Sequence, residues 1–264
     1  MDLRLENKRA VVSGSTAGIG LAIAQSLATE GASVIVNGRS AARVEAAVKK
    51  IHGSGVKGEA RGLVADLSTL AGVDDLVRQI PTADILINNL GMYQPKPFEQ
   101  ITDEEWLKIY EVNVLSGVRL SRAYLPKMKE QNWGRIVFIS SESALNPPVE
   151  MIHYGMTKTA QLAISRGLAE TTAGTGVTVN AVLPGPTRSE GVEQFVESMA
   201  AAKQTDAAGI EREFFKSVRP GSLLKRFATP EEVAAMVTFV CSPLASATNG
   251  AALRVDGGVV RSIA

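Results

Sequence analysis

Residues 10–20 read Ala10-Val11-Val12-Ser13-Gly14-Ser15-Thr16-Ala17-Gly18-Ile19-Gly20, and the apolar-periodic stretch Ile19–Glu30 follows. A short β-branched run thus leads directly into three glycines spaced G-x-x-x-G-x-G and then into a helical pattern. No Lys-Ser/Thr follows the last glycine, so this is not a P-loop, and the spacing is not G-x-G-x-x-G. The context is still strand, glycine turn and helix N-terminus. There, exposed N–H groups and the helix dipole stabilise a pyrophosphate. Small residues let the backbone approach closely, and the Ser15 and Thr16 hydroxyls can add hydrogen bonds. Taken alone, the pattern fits a tight turn with close helix–strand packing equally well.

Outward from this turn, short apolar runs alternate with longer helical patterns. The strand candidates are Ala10–Ser13, Ser33–Asn37, Arg61–Val64, Ile85–Asn88, Arg135–Ser140, Thr178–Leu183 and Ala252–Val255. They are rich in Val and Ile and apolar throughout, as parallel strands covered on both faces are. Helices are predicted over Ile19–Glu30, Ala41–His52, Thr69–Gln79, Asp103–Gln131, Ile152–Thr172 and Pro230–Cys241. This alternation implies right-handed crossovers and an α/β fold with a doubly wound parallel sheet of seven strands. No linker or repeat divides the chain, so residues 1–264 read as a single domain. One stretch, Arg188–Phe227, breaks the rhythm and reads as one or two helices with a loop. It is either a small helical subdomain with its own core or a mobile lid over a substrate pocket.

Composition removes several function classes. The 264 residues carry 28 Lys+Arg against 27 Asp+Glu, so there is no charge excess of the kind that nucleic-acid or membrane-surface binding needs. The single Cys241 excludes a disulfide framework and a cysteine zinc site, and two histidines, His52 and His153, do not make a metal cluster. No metal is expected. The first residues, Met1–Lys8, lack the features of a targeting segment, and no apolar run approaches the roughly 18 residues of a membrane span. The expected location is the cytoplasm.

The end of the second strand sharpens the reading of the glycine turn. An NAD-binding protein usually places an Asp or Glu there for the adenosine ribose hydroxyls. This chain has Val36-Asn37-Gly38-Arg39-Ser40, with no acid. Arg39 is placed for charge-assisted bonds to a 2′-phosphate, and Ser40 can cap the next helix and reach the same phosphate. NADP(H) is therefore favoured over NAD(H).

Ser141, Tyr154 and Lys158 form a candidate catalytic set. Tyr154 and Lys158 are four apart in a helical pattern and share a face. Ser141 follows the buried run Ile136–Ser140, which puts it at the carboxyl end of the sheet, where doubly wound folds bind ligands. A free tyrosine, with a pKa of about 10, is a poor base at neutral pH. An adjacent ammonium is expected to lower it and yield a general acid–base nearer working pH.

With these residues in hand, the chain resembles the short-chain dehydrogenase/reductase family, in its compact single-domain branch, from about Lys8 to Gly258. The motifs that carry the resemblance are Gly14-Ser-Thr-Ala-Gly18-Ile-Gly20, Asp66-Leu67, Asn88-Asn89-Leu90-Gly91, Asn113, Ser141, Tyr154-x-x-x-Lys158, Asn180-Ala-Val-Leu-Pro184-Gly185 and Val255-Asp-Gly-Gly258. Each is weak alone; in order and on the expected elements they are strong together. The resemblance implies a Rossmann-like NAD(P)-binding domain with helices on both faces of the sheet and a substrate lid inserted at 188–227. It implies hydride transfer between a nicotinamide and a ketone or secondary alcohol. Tyr154 would be the general acid–base, and Lys158 would hold the nicotinamide ribose and lower the phenol's pKa. Ser141, rather than Ser140, would bind the substrate oxygen, since its spacing to Tyr154 matches the family. Asn113 would position a water joining Lys158 to solvent.

The resemblance also places Gly14, Ser15, Thr16, Gly18, Ile19 and Gly20 along the cofactor. Arg39 and Ser40 would lie at its phosphate, Asp66 and Leu67 beside the adenine, and Asn89 and Gly91 at its centre. Pro184, Gly185 and Thr187 would meet the nicotinamide end, Thr187 through its hydroxyl. The Val-Asp-Gly-Gly end would close the sheet. A homodimer or homotetramer is implied, built on the helices around Asp103–Gln131 and Ile152–Thr172. Leu162 and Leu168 on the second of these could equally face the sheet.

Three departures from the family pattern stand out. Ser13 replaces a threonine and keeps its hydroxyl. Leu90 replaces a small residue and either packs into the core or tightens the pocket. Glu142 follows the catalytic serine, where it either faces solvent or approaches the substrate site. His153, beside Tyr154, points away from it and is given no catalytic role. Met92, Tyr93, Pro147, Pro148, Met151, Phe195 and Met199 suggest an apolar pocket for a small-molecule substrate. Within the oxidoreductase reading, reduction of a 3-oxoacyl-[acyl-carrier-protein] and reduction of a simple carbonyl, sugar or polyol both remain. Lys127, Lys129, Arg119 and Arg122 would be the docking face for an acyl carrier protein, although a solvated helix face explains them as well. A cofactor-binding regulator or scaffold without turnover is the reading from a different class.

Overall fold

The computed structural model describes residues 2–263, apart from the side chain of Phe195. Seven strands form one sheet: β1 Arg9–Val12, β2 Ser33–Gly38, β3 Ala60–Val64, β4 Ile85–Asn88, β5 Gly134–Ile139, β6 Val177–Pro184 and β7 Ala252–Val255. Their order is β3-β2-β1-β4-β5-β6-β7, and every pairing is parallel. The order reverses between β1 and β4, which opens a crevice at the carboxyl edge, where such sheets bind ligands.

The central strands bear out the two-faced apolar reading, since all of β4, β5 and β6 is buried. Burying a Val, Leu or Ile there contributes roughly 1.5–3 kcal/mol. The edge strands depart from it: β3 and β7 are partly exposed, because each lacks a neighbour on one side. Two cores cover the sheet. Ile23, Leu27, Val36, Val182 and Val237 belong to one, and Leu76, Leu86, Leu120, Tyr124 and Phe138 to the other.

The helices are α1 Gly18–Thr29, α2 Ala41–Gly53, α3 Leu70–Gln79, α4 Asp103–Tyr110, α5 Ser116–Glu130, α6 Ile152–Thr171, α7 Glu190–Ala202, α8 Ala207–Glu213 and α9 Pro230–Cys241. Thr229 and Glu232 form a capping box for α9, and Thr102 with Glu105 does the same for α4. The predicted helix over 103–131 is α4 and α5 joined by a π turn, Glu111–Leu115. Such turns often mark functional sites, and this one contains Asn113. Among the described residues, no helix is long and apolar enough to cross a membrane.

The stretch after β6 does carry its own core, of Val196, Ala200, Ile210, Phe215 and Phe227. The Phe214, Phe215 and Phe227 rings sit 5.0–5.1 Å apart. Arg188 bonds Glu211 at 2.6 Å, and Glu211 accepts the Phe227 N–H at 2.7 Å, which ties the two ends of the stretch together.

Candidate active site

The glycine turn is held by side chains rather than by hydrogen bonds within the turn. Gly14 and Gly18 adopt φ +60 and +54, a region glycine enters without a Cβ penalty. At Gly20 a Cβ would lie 2.4 Å from Asn89 Nδ2 and 2.6 Å from the Gly14 carbonyl, so only glycine fits. α1 begins at Ala17 with no side-chain cap and no acid in its first turn. Its first N–H groups are thus left for an anion, and the turn fits a dinucleotide pyrophosphate.

Several candidate cofactor residues contribute differently from the expectation. Ser15 is fully buried, and its hydroxyl is spent inside the fold, donating to Val12 O at 2.7 Å and accepting the Asn37 N–H at 2.9 Å. Its side chain is a brace, whereas that of Thr16 is only partly buried. Asn89 donates to Ser13 O and Gly14 O at 3.0 and 2.9 Å, fastening the end of β4 to the turn. Leu67 lies in the core, so only its backbone can face a ligand. Leu90 packs against the same core, which decides between its two readings. Thr187 donates its hydroxyl proton to Gly185 O at 2.9 Å, leaving the oxygen as an acceptor only. Gly185 has Asp256 O 2.6 Å from where a Cβ would lie. Arg39 is exposed, and Ser40 caps α2 through the Arg43 N–H. Burial alone would raise the Asp66 carboxyl. Its hydrogen bonds from Ser68 and the charges of Arg39 and Lys108 outweigh that and hold it low.

Asn37 and Ser13 were missed as contributors. Asn37 accepts from Gly14 N at 3.2 Å and donates to Leu63 O and Ala65 O, locking the turn to the end of β3. Ser13 Oγ accepts the Asn89 and Leu90 N–H groups at 2.9 and 3.0 Å. A short polar residue closing an apolar strand was their only sequence signal.

A cavity of about 220 Å³ gathers Asn89, Gly91, Met92, Tyr93, Ser141, Tyr154, Lys158, Pro184, Gly185, Thr187 and Val192. A larger one of about 650 Å³ flanks the glycine turn between α1, α2 and α7, but lacks the acid–base set. In the smaller cavity Ser141 hydrogen-bonds Tyr154. The Ser143 N–H donates to Ser141 Oγ at 3.1 Å, so the serine's own proton is free to point at a ligand or at the phenol. Ser140 instead donates to Lys158 O at 2.9 Å. Asn113 receives the Met92 N–H at 2.8 Å and donates to Met92 O and Thr157 Oγ1, pinning the loop after β4 to α6.

The electrostatics correct one expectation. Lys158 Nζ lies 5.5 Å from the centre of the Tyr154 ring and donates to Ile139 O at 2.9 Å and to Gln161 at 3.3 Å. Burial pushes Lys158 down to about 7. Burial likewise pushes Tyr154 up to about 12, with Ser141 opposing and Glu142 and Tyr93 adding to the rise. The amine does not make the phenol acidic in the protein alone. At neutral pH the phenol keeps its proton, as a general acid must.

Lys158 also sets a pH dependence of stability. Its folded pKa of about 7 lies below the free value of 10.5, so the cost of burying the charge is full below pH 7. That cost fades as pH rises toward 10.5, because the unfolded chain then holds the extra proton. Between pH 7 and 9 the melting temperature is expected to rise, and in Lys158→Met that rise is expected to shrink. Equal slopes in thermal melts of the two proteins would contradict the assignment.

Glu142 does not face solvent. It is buried, and Arg219 Nε, at the end of the helical insertion, bonds it at 2.9 Å. Met199 belongs to the core of the insertion rather than to the cavity, and the Phe195 side chain lies outside the described residues. His153 is buried edge-on to Trp106 at 5.8 Å, away from the cavity. Leu162 and Leu168 pack on the sheet. Three of the four basic residues considered for a carrier protein are engaged within the chain: Arg119 with Ser68 O and Glu111, Lys127 with Glu130, and Lys129 with Thr171 O.

The chain thus combines a parallel seven-stranded sheet, this glycine turn and a Ser-Tyr-Lys cluster at the carboxyl edge. The short chain dehydrogenase family model matches residues 8–200, and the chain belongs to that family, whose members are NAD(P)-dependent enzymes acting on CH–OH groups. It is 48% identical over 263 residues to the uncharacterized oxidoreductase YvaG of Bacillus subtilis (strain 168), covering 100% of both chains. It is 35% identical to D-beta-hydroxybutyrate dehydrogenase of Cupriavidus necator, over 97% of this chain and 99% of that one. Among solved structures, L-sorbose reductase from Gluconobacter frateurii, complexed with NADPH and L-sorbose, aligns with a TM-score of 0.94 at 30% identity, over 100% of both chains.

Proposed function

We propose that the protein is an NADP(H)-dependent oxidoreductase that interconverts a ketone and a secondary alcohol, with Tyr154 as the acid–base. The observation that carries this reading is the meeting of Ser141, Tyr154 and Lys158 in one cavity beside Gly91, Gly185 and the glycine turn. When bound, the reduced nicotinamide supplies a hydride to the carbonyl carbon. Ser141 holds the carbonyl oxygen with its free proton. Tyr154 donates its phenolic proton to that oxygen as negative charge builds there. Lys158 orients the cofactor ribose through the N–H left after Ile139 and Gln161 are served, and its charge offsets that of the phenolate left behind. The helical insertion at 188–227 reaches the site, with Ser189 beside Gly18 and both Ser189 and Val192 lining the cavity.

The preference for NADP(H) rests on Arg39, an exposed guanidinium at the end of β2, where no acid is present. Purified protein is expected to oxidise NADPH faster than NADH with a ketone panel that includes L-sorbose. Arg39→Ala should weaken NADPH binding about ten- to a hundredfold and leave NADH nearly unchanged, as loss of one charge-assisted phosphate contact predicts. An unaltered NADPH/NADH ratio in that variant would overturn the preference. Tight NADPH binding with no turnover across the panel would favour a binding protein without catalysis instead.

A further inference from the structure

We infer that Gln161 is a positioning residue for Lys158. Its side-chain amide spans the Asn113 main-chain carbonyl and the Lys158 amine, and so sets the direction of the N–H that Lys158 has left for the cleft. This rests on the reading of Lys158 given above.

Gln161 lies one turn after Lys158 on α6, on the same face, and only 1% of it is exposed. Its Nε2 donates to Asn113 O at 2.5 Å, and its Oε1 accepts from Lys158 Nζ at 3.3 Å. Chemistry allows one orientation of this amide. The carbonyl of Asn113 can only accept and the ammonium can only donate, so the NH2 end must meet Asn113 and the oxygen must meet the lysine. Neither end can rotate without leaving a buried group unpaired, which is costly.

The consequence falls on Lys158. In its protonated form, which a value of about 7 leaves about half-populated at pH 7, Lys158 has three N–H donors and turns freely about its last bond when only one of them is held. Ile139 O holds one donor at 2.9 Å. The second contact, to Gln161, stops the rotation and leaves a single donor in a fixed direction. That donor faces the cavity, where Gly91 has no side chain; a Cβ there would lie 3.5 Å from Nζ. Gln161 is anchored in turn by the π turn Glu111–Leu115, whose Asn113 side chain holds the loop after β4. The loop, the amine and the cavity floor are thereby referred to one residue.

Two variants separate positioning from packing. Gln161→Met keeps length and volume but removes both hydrogen bonds. Gln161→Glu keeps an acceptor for the amine but loses the donor to Asn113 O. A positioning role predicts that kcat and NADPH affinity, the latter read by fluorescence, fall in the order wild type, Gln161→Glu, Gln161→Met. The Met variant should lose about tenfold in kcat, the value of one hydrogen bond to a charged group, with the ketone KM little changed. A packing role predicts the order wild type, Gln161→Met, Gln161→Glu, because Met keeps the volume while the Glu variant buries a carboxylate against the Asn113 carbonyl.

The titration of Lys158, followed by NMR of ε-13C-labelled lysine in the protein alone, supplies a readout independent of turnover. It should move up in Gln161→Glu and down in Gln161→Met. The titratable and charged neighbours, Tyr154 on the same helix, Tyr93 from the loop after β4, and Glu142 with Arg219, are the same in both variants. Should Gln161→Met not fold, a Lys158 midpoint unmoved in Gln161→Glu overturns the inference. So does wild-type kcat in a folded Gln161→Met, or a Gln161→Glu slower than Gln161→Met. Tyr154→Phe, assayed alongside, distinguishes the two failures. If it still turns over, the proposed function falls. If it is inert while Gln161→Met behaves as wild type, only the role of Gln161 falls.

Discussion

Tyr154→Phe is expected to lose about 10²–10⁴-fold in kcat/KM with NADPH and any accepted ketone, the range that a positioned general acid contributes. The substitution removes one oxygen and keeps the ring, including its edge-on contact with Tyr93 at 6.2 Å. Folding and NADPH affinity should therefore change little, which makes the loss specific to the proton. Because burial holds the phenol up to about 12, the wild-type group is fully protonated at neutral pH and ready to donate. The oxidation direction requires the phenolate and should be favoured by alkaline pH. Stopped-flow NADPH oxidation by the two proteins at pH 7 is the direct test; equal rates would remove Tyr154 from the mechanism.

The second large effect is on stability. Arg219→Met should cost about 3–5 kcal/mol, the usual consequence of stranding one member of a buried ion pair. Glu142 and Arg219 are 4% and 12% exposed at their side chains, and Glu142 Oε2 already lacks a hydrogen-bond partner. Burial pushes the Glu142 carboxyl up, with the Arg219 charge and its hydrogen bond opposing. Without Arg219 the carboxyl would rise further. The deficit should therefore shrink as pH falls from 7 toward 5, since the neutral acid no longer needs a counter-charge. Glu142→Gln in the same background should recover much of the loss, because it removes the unpaired charge. Thermal melts of both variants across that pH range decide the matter. A deficit that does not change with pH would mean that the arginine acts through packing alone. Because Glu142 follows Ser141 directly, and Ser141 caps the short turn Glu142–Ala144, the weakened variant should also show a lower kcat.

Much of this molecule is local and was therefore legible in its residues. Strand and helix positions follow from hydrophobic period, and the glycine turn follows from three glycines that sit where φ is positive or a Cβ would collide. The Tyr154–Lys158 spacing places both groups on one helix face. What could not be read were partners distant in the chain. Glu142 and Arg219 are 77 positions apart, and nothing near Glu142 announces that a cation will cover it. Gln161 looks like an ordinary helix glutamine until Asn113, 48 positions earlier, is brought against it. Ser15 and Asn89, read as ligand contacts, also brace the turn, through bonds that the local sequence does not announce.

The chain alone determined which elements form, because periodicity and turn chemistry act over a few residues. It also determined that a glycine turn and a Tyr-Lys pair occupy the carboxyl edge. Only the tertiary structure decided the charge states of the site. Burial and long-range hydrogen bonds set the proton affinity of Tyr154 and Lys158, and both depend on how much solvent the packed sheet and helices exclude.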